Sequence, residues 1–156
     1  MTDGPVPVFH SSAQPGYLPD IEADRRVVRA RKRINTIEAR FATIDGTIET
    51  PEGVVHVRAG DAIMSGTGGD QWRVSLETFA HRYKPIPPTR MGQPGRYESL
   101  PVEVLAIPMD RPFEVVLRDG ISQLHGERGD WLLDYGDGSL GIVRAQVFGS
   151  LYETVR

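Results

Sequence analysis

Residues 129–152 read GDWLLDYGDGSLGIVRAQVFGSLY, and this stretch decides the fold. A counterpart, GDAIMSGTGGDQWRVSLETFAHRY, occupies residues 60–83, an ungapped offset of 69 (130 − 61 and 148 − 79). At that offset His56, Gly60, Asp61, Gly69, Val74, Phe79 and Tyr83 recur as His125, Gly129, Asp130, Gly138, Val143, Phe148 and Tyr152. Apolar positions recur too: Val55 with Leu124, Ile63 with Leu132, Met64 with Leu133. Recurrence at a fixed spacing marks an internal duplication, so two similar units are expected.

Each copy has one local order. Gly-Asp precedes a short apolar run, 62–64 or 131–133, which its length and the flanking turn signals make a strand. A Gly-rich segment, 65–70 or 134–138, turns a hairpin, and 71–74 or 140–143 returns. Leu76, Phe79, Ala80 and Tyr83 then fall at i, i+3, i+4 and i+7, one face of a short helix. Ser75 is the expected N-cap, with Glu77 in the first turn. Ala145, Phe148, Gly149 and Tyr152 repeat the spacing, but the capping position is Arg144, which predicts a less well-started helix. The four aromatics are expected in the core.

Upstream, Ile37, Ala39 and Phe41 alternate with polar residues as in a half-buried strand. Asp45-Gly46, residues 51–53 and Asp119-Gly120 are turns flanked by short strands. Residues 102–106 are matched to 37–41. The fold expected is α+β: mostly short antiparallel strands, one short C-terminal helix per unit, and two tandem repeat units packed with pseudo-twofold symmetry. The expected boundaries are residues 1–33 as a Pro-rich arm and basic strip, 34–86 as the first unit, 87–98 as a linker and 99–156 as the second. Parts of the arm, with Val6, Val8, Phe9, Tyr17 and Leu18, are apolar enough to lie against a core.

The composition is that of a globular chain: 39% hydrophobic and 25% charged residues over 156 positions, which suffices for one domain or two very small ones. Seventeen glycines and twelve prolines favour turns and strands over helices. The net charge of −3 supplies no general attraction to nucleic acid or anionic membrane. With no cysteine, disulfides and thiolate metal sites are excluded. No apolar run reaches membrane-spanning length and no secretory signal opens the chain, so a cytoplasmic location is expected.

The chain resembles the PGDYG-type family of small phage and prophage proteins. The residues that carry the resemblance are 31–33, 37–39, 49–53, Gly60-Asp61 and 79–83 in the first copy. In the second they are 101–104, Gly129-Asp130-Trp131-Leu132-Leu133 and 148–153. The chain departs from the family at Ala59 and Arg128, where the family has proline, and at Ala62, where it has the tryptophan kept as Trp131. The resemblance implies this fold in two tandem copies and brings no established reaction.

Each candidate site has a structural and a functional reading. Gly60, Asp61, Gly129 and Asp130 are expected to be structural turns, with glycine at positive φ and the carboxylate bonded to nearby backbone N–H groups. An acid–base pair is the functional alternative. Arg29, Arg31 and Arg33 belong to the basic segment DRRVVRARKR (24–33), which could meet phosphates; without interleaved aromatics, nucleic acid is not expected. His56 and His125 lie on alternating strand positions, and no metal motif accompanies them. Asp134 and Asp137 lack the spacing of a calcium loop, and residues 65–69 lack that of a phosphate loop. Trp72 and Trp131 occupy non-equivalent positions, where either could line a pocket.

The function expected is non-enzymatic binding, of phage or mobile-element type. A small anionic, nucleotide-like ligand or a host protein would sit at the cleft between units, contacted by Arg29, Arg31, Arg33, His56, Trp72, His125 and Trp131. The alternatives are an enzyme acting on a nucleotide-like substrate through Asp or His, and a structural or assembly protein. No cofactor and no metal are expected. A homo-oligomer is open.

Overall fold

The structure, a computed structural model, describes residues 6–11, 24–66 and 70–155. In chain order it has β1 (Val8–His10), β2 (Val28–Lys32), β3 (Thr36–Phe41), β4 (Gly46–Thr50), β5 (Gly53–Val57), β6 (Ala62–Ser65), β7 (Gln71–Val74), α1 (Leu76–Arg82), β8 (Tyr83–Pro85) and β9 (Gly95–Ser99). Then come β10 (Glu103–Pro108), β11 (Phe113–Val116), β12 (Gln123–Gly126), β13 (Trp131–Asp134), β14 (Leu140–Val143), α2 (Ala145–Leu151) and β15 (Tyr152–Val155). The chain divides into two compact units: Lys32–Val102, and Met1–Arg31 together with Glu103–Arg156.

The unit Lys32–Val102 holds a five-stranded sheet in the order β7-β6-β3-β9-β8, with every pair antiparallel. The hairpin β4-β5 forms a separate two-stranded sheet. The other unit has a five-stranded sheet in the order β14-β13-β10-β2-β15, and a three-stranded sheet in which β1 joins the hairpin β11-β12. The strand beside β3 therefore comes from later in the chain, and the strand beside β10 from far earlier.

This pairing corrects the expected boundaries. Residues 95–98, expected to end a linker, form β9 with Ser99; Tyr97 at its centre is fully buried, and its hydroxyl lies 3.0 and 2.8 Å from the Arg90 and Gln93 carbonyls that can accept from it. Prolines and glycines on either side hid a strand that both neighbours satisfy. The basic strip is β2, paired antiparallel with β10. Segments 83–85 and 152–155 are strands, so the helices end one residue before Tyr83 and Tyr152 although the apolar spacing continues through them. The matching of 37–41 to 102–106 shifts by two residues: Glu38 faces Ser65 as Leu105 faces Asp134, so Ile37 corresponds to Val104. A two-residue slip keeps every side chain on its face, so alternation alone could not detect it. Of the arm, Val8–His10 is described and pairs in parallel with β11; Tyr17, Leu18 and Thr67–Gly69 lie outside the described residues.

The helices cover one face of each sheet. Phe79 packs among Tyr83, Tyr97 and Phe41, with Phe41 edge-on at 5.4 Å. Phe148 stacks on Trp131 at 4.0 Å and on Tyr152 at 5.5 Å. The ring beside the helix is supplied differently in each unit. Phe41 faces Ala62 across β3 and β6, whereas Pro108 faces Trp131 across β10 and β13. The large member of the pair therefore stands on β3 in one sheet and on β13 in the other. Likewise Gly46 faces Val57 in one hairpin and Phe113 faces Gly126 in the other, where the Phe113 ring fills the place of a Gly126 side chain. Trp72 and Gly141 also correspond, and the Tyr135 side chain lies over Gly141.

No helix among the described residues is long and apolar enough to cross a membrane. Phe148 is 6% exposed, so Phe148→Ala opens a cavity beneath Trp131 and should cost about 3–5 kcal/mol in urea unfolding. An unchanged midpoint would show that α2 contributes no core packing.

Candidate functional site

The two Gly-Asp segments are turns of one design. Asp61 N–H donates to the Arg58 carbonyl at 2.9 Å, and Asp130 N–H to the Glu127 carbonyl at 3.0 Å. Gly60 and Gly129 sit third in these turns at φ 96° and 94°, a region that favours glycine. Asp61 Oδ2 accepts from Arg58 N–H at 2.9 Å; Asp130 Oδ2 accepts from Glu127 N–H at 2.8 Å. Asp130 Oδ1 also accepts from Ala145 N–H at 3.0 Å. The start of α2, where Arg144 offers no cap, thus receives its acceptor from Asp130. Ser75 is the N-cap residue of α1, but its hydroxyl pairs with Thr78 Oγ1 at 2.8 Å and makes no capping bond.

Two outcomes follow. Asp61→Asn should be mild, because one amide oxygen still accepts from Arg58 N–H, whereas Asp130→Asn should cost about 1–3 kcal/mol by leaving one of two N–H groups without its acceptor. The second position of the Asp130 turn is Arg128, whose N–H has no partner among the described residues. Arg128→Pro should stabilise by about 0.4–1 kcal/mol, since proline suits that position and restricts the unfolded chain. Ala59→Pro should gain less, because Ala59 N–H donates to Asp45 Oδ1 at 2.9 Å. Urea midpoints of the four variants check all of this.

The sheet faces turned away from the helices separate the two units chemically. In the unit containing β10, one row across the strands is Ile107, Leu132 and Ile142, and the next is Leu105, Asp134 and Leu140. Apart from buried Asp134, they form an apolar core with Phe113 and Val115 of the hairpin and with Phe9. In the unit Lys32–Val102 the corresponding rows are Arg40, Ile63, Arg73 and Glu38, Ser65, Gln71. Ile63 is 2% exposed, and an arginine flanks it on either side. Arg40 Nη2 donates to Gln71 Oε1 at 2.9 Å. Arg73 Nη1 donates to the His56 carbonyl at 3.3 Å and lies 3.7 Å from Asp61 Oδ2. Arg73 Nε is buried and has no acceptor. A buried donor without a partner costs roughly 1–3 kcal/mol, so a ligand oxygen placed there would recover that energy. Arg40, Gln71 and Arg73 were not singled out from the sequence. Their signal was present: each stands where the other sheet carries an apolar residue, Ile107, Leu140 or Ile142.

Apart from Trp72 on β7, the residues expected to bind lie outside β3 and β7. Arg29 and Arg31 project from β2 beside Glu103, and Arg31 is also 3.9 Å from Glu153 on β15, so acids oppose the basic strip. The Arg33 carbonyl accepts from Ser99 Oγ at 2.7 Å, tying the residues that follow β2 to the end of β9. The Asp24 carboxyl is held at about 2, chiefly by the Arg26 side chain that donates to it. His56 is exposed on β5; half-exposed His125 lies 3.0 Å from Glu127 and 3.8 Å from Glu114. Among the described residues, no group of three or more His, Asp or Glu side chains could hold a metal. Trp72 and Trp131 both pack on the helix-side cores.

Lys32 begins the same unit and is 9% exposed. Burial, with Arg82 adding like charge, lowers its ammonium from 10.5 to about 8. The folded chain therefore carries the full cost of this charge below pH 8. Between about pH 8 and 10.5 the unfolded chain binds more protons than the folded one, so the Lys32 contribution to stability rises with pH. Unfolding measured at pH 7 and pH 10 should show that rise in the wild type, and a smaller one in Lys32→Met.

A family model described as PGDYG protein matches residues 53–153, about two thirds of the chain. No curated protein matches the chain, and no solved structure does.

Proposed function

The chain belongs to the PGDYG protein family, and from that premise we propose that it is a non-enzymatic binding protein that holds an anionic group on the Arg40–Arg73 face. The observation that carries this is the buried Arg73 Nε–H without an acceptor, on a sheet face where a second arginine stands across Ile63. Arginine suits the task because its donors are fixed in a planar fork that matches carboxylate or phosphate oxygens. Asp61 offsets part of the charge, which favours a ligand that also hydrogen-bonds over a bare counter-ion. Two copies of one ancestral unit are the second part of the reading. Matching strand orders, the repeated Gly-Asp turn and the paired volume exchanges support it. On this view one copy kept an apolar second layer and the other turned it into a polar binding face. A phage or mobile-element protein capturing a small anion or a host protein fits this reading.

The experiment is a titration with inorganic phosphate at low salt, followed by the nitrogen–proton resonance of Arg73 Nε. A saturable shift with Kd on the order of millimolar is expected. It should vanish in Arg73→Ile and weaken in Arg40→Ile, the two residues the other sheet carries at these places, while both variants remain folded. A resonance that does not move with phosphate overturns the proposal.

A further inference from the structure

The partner of this face can be inferred from the way the other unit covers its own. There, β1 lies parallel to β11 in the register Val8 to Glu114, Phe9 to Val115 and His10 to Val116. Beyond the ladder itself, backbone bonds close both of its ends: Glu114 N–H to the Pro7 carbonyl at 3.0 Å, and Ser11 N–H to the Val116 carbonyl at 2.8 Å. Ser11 Oγ accepts from Leu140 N–H at 3.0 Å, fixing the strand end to β14. Phe9 turns inward, edge-on to Phe113 and against the cluster that includes Ile107, Leu140 and Ile142.

The hairpin of the unit Lys32–Val102 has the same alignment, since Thr47 faces His56 as Glu114 faces His125. It has only two strands, and no described strand lies on the outer edge of β4. β4 packs near β7, and the outward backbone groups of its edge have no strand partner among the described residues. The two-residue loop between Thr50 and Gly53 makes those residues a hydrogen-bonded pair. By alternation, the N–H and C=O groups of Ile48 turn to β5, while those of Thr47 and Glu49 turn outward. Thr47 and Glu49 are exposed, and they correspond to Glu114 and Val116, the two residues whose backbone holds β1.

Resting on the anion-binding reading above, we propose that β4 takes an extended strand of another polypeptide, in parallel, with a carboxylate-bearing side chain opposite Ile48. That position corresponds to Phe9. The side chains it would meet are counterparts of the cluster under Phe9, but they are Arg40, Gln71 and Arg73 where the cluster has Ile107, Leu140 and Ile142. A carboxylate supplies the acceptor Arg73 Nε lacks, and backbone bonds to Thr47 and Glu49 supply the rest of the affinity. A second copy of this chain does not fit, because its β1 would bring Phe9 over two guanidinium groups and strip their water without pairing them.

The test uses synthetic peptides with the sequence of residues 6–11, one as it stands and one carrying Phe9→Glu. The readouts are hydrogen exchange of Thr47 N–H and the shift of Arg73 Nε–H in the full chain. The Phe9→Glu peptide should slow Thr47 exchange, shift Arg73 and bind about tenfold more tightly than the parent peptide. Thr47→Pro, which removes a donor the hairpin does not use, should abolish binding while the spectrum stays folded. If phosphate shifts Arg73 but neither peptide protects Thr47, strand addition is overturned and the anion site stands. If the parent peptide binds as well as the Phe9→Glu peptide, the carboxylate requirement is overturned. If neither phosphate nor peptide moves Arg73, both readings fall.

Discussion

The central strand of each large sheet must satisfy its backbone on two sides, and the rest of the chain is arranged around that requirement. β3 and β10 each find one partner locally, in β6 and β13. The second partner is supplied differently. β9 follows β8 across a turn and fills the far side of β3, so one unit is nearly contiguous in sequence. β10 has no such strand after it, and β2 fills the place from the other end of the chain. An unpaired central strand would bury N–H and C=O groups without partners, at a cost no side-chain packing in a unit of this size could offset. The short connections 33–35 and 100–102 then carry the chain from one unit to the other. Lys32 N–H donating to the Val102 carbonyl, and Ser99 N–H donating to the Asn35 carbonyl, tie those connections to each other.

Once the backbone pairing is fixed, the side chains fill corresponding places in the two sheets by different means. The ring beside Phe79 comes from β3, and the ring beside Phe148 comes from β13. The bulky member of the first hairpin pair is Val57 in one unit and Phe113 in the other. Close packing enforces such exchanges, because a large residue on one strand leaves room only for a small one across from it. The same logic does not reach the outer faces. There a hairpin can cover an apolar layer, as over Leu132, or lie over a polar one, as over Ile63 between Arg40 and Arg73.

Much of this was legible in the chain. The 69-residue recurrence located the Gly-Asp turns, both hairpins of the large sheets and both helices. The aromatics Phe79, Tyr83, Phe148 and Tyr152 are buried as expected, Phe79 and Phe148 on the helices and Tyr83 and Tyr152 at the starts of β8 and β15. The reading of the Gly-Asp segments as turns agrees with the backbone bonds that Asp61 and Asp130 accept. The arginine face was less legible. Arg40 and Arg73 lie 33 positions apart and meet only because both are registered to Ile63.

What the sequence determined by itself was local: which residues turn, which alternate, and which face of each short helix is apolar. These follow from φ preferences and from periods of two and 3.6, which act within a few residues. Only the tertiary structure decided that β2 crosses to the sheet of β10, that residues 95–99 are a strand, and that Asp130 provides the acceptor for the first turn of α2. It also decided that two arginines share a face with a buried donor left open. Each of these depends on hydrogen bonding and register between segments distant in the chain, and β-strand pairing leaves little trace of its partner in the strand's own residues.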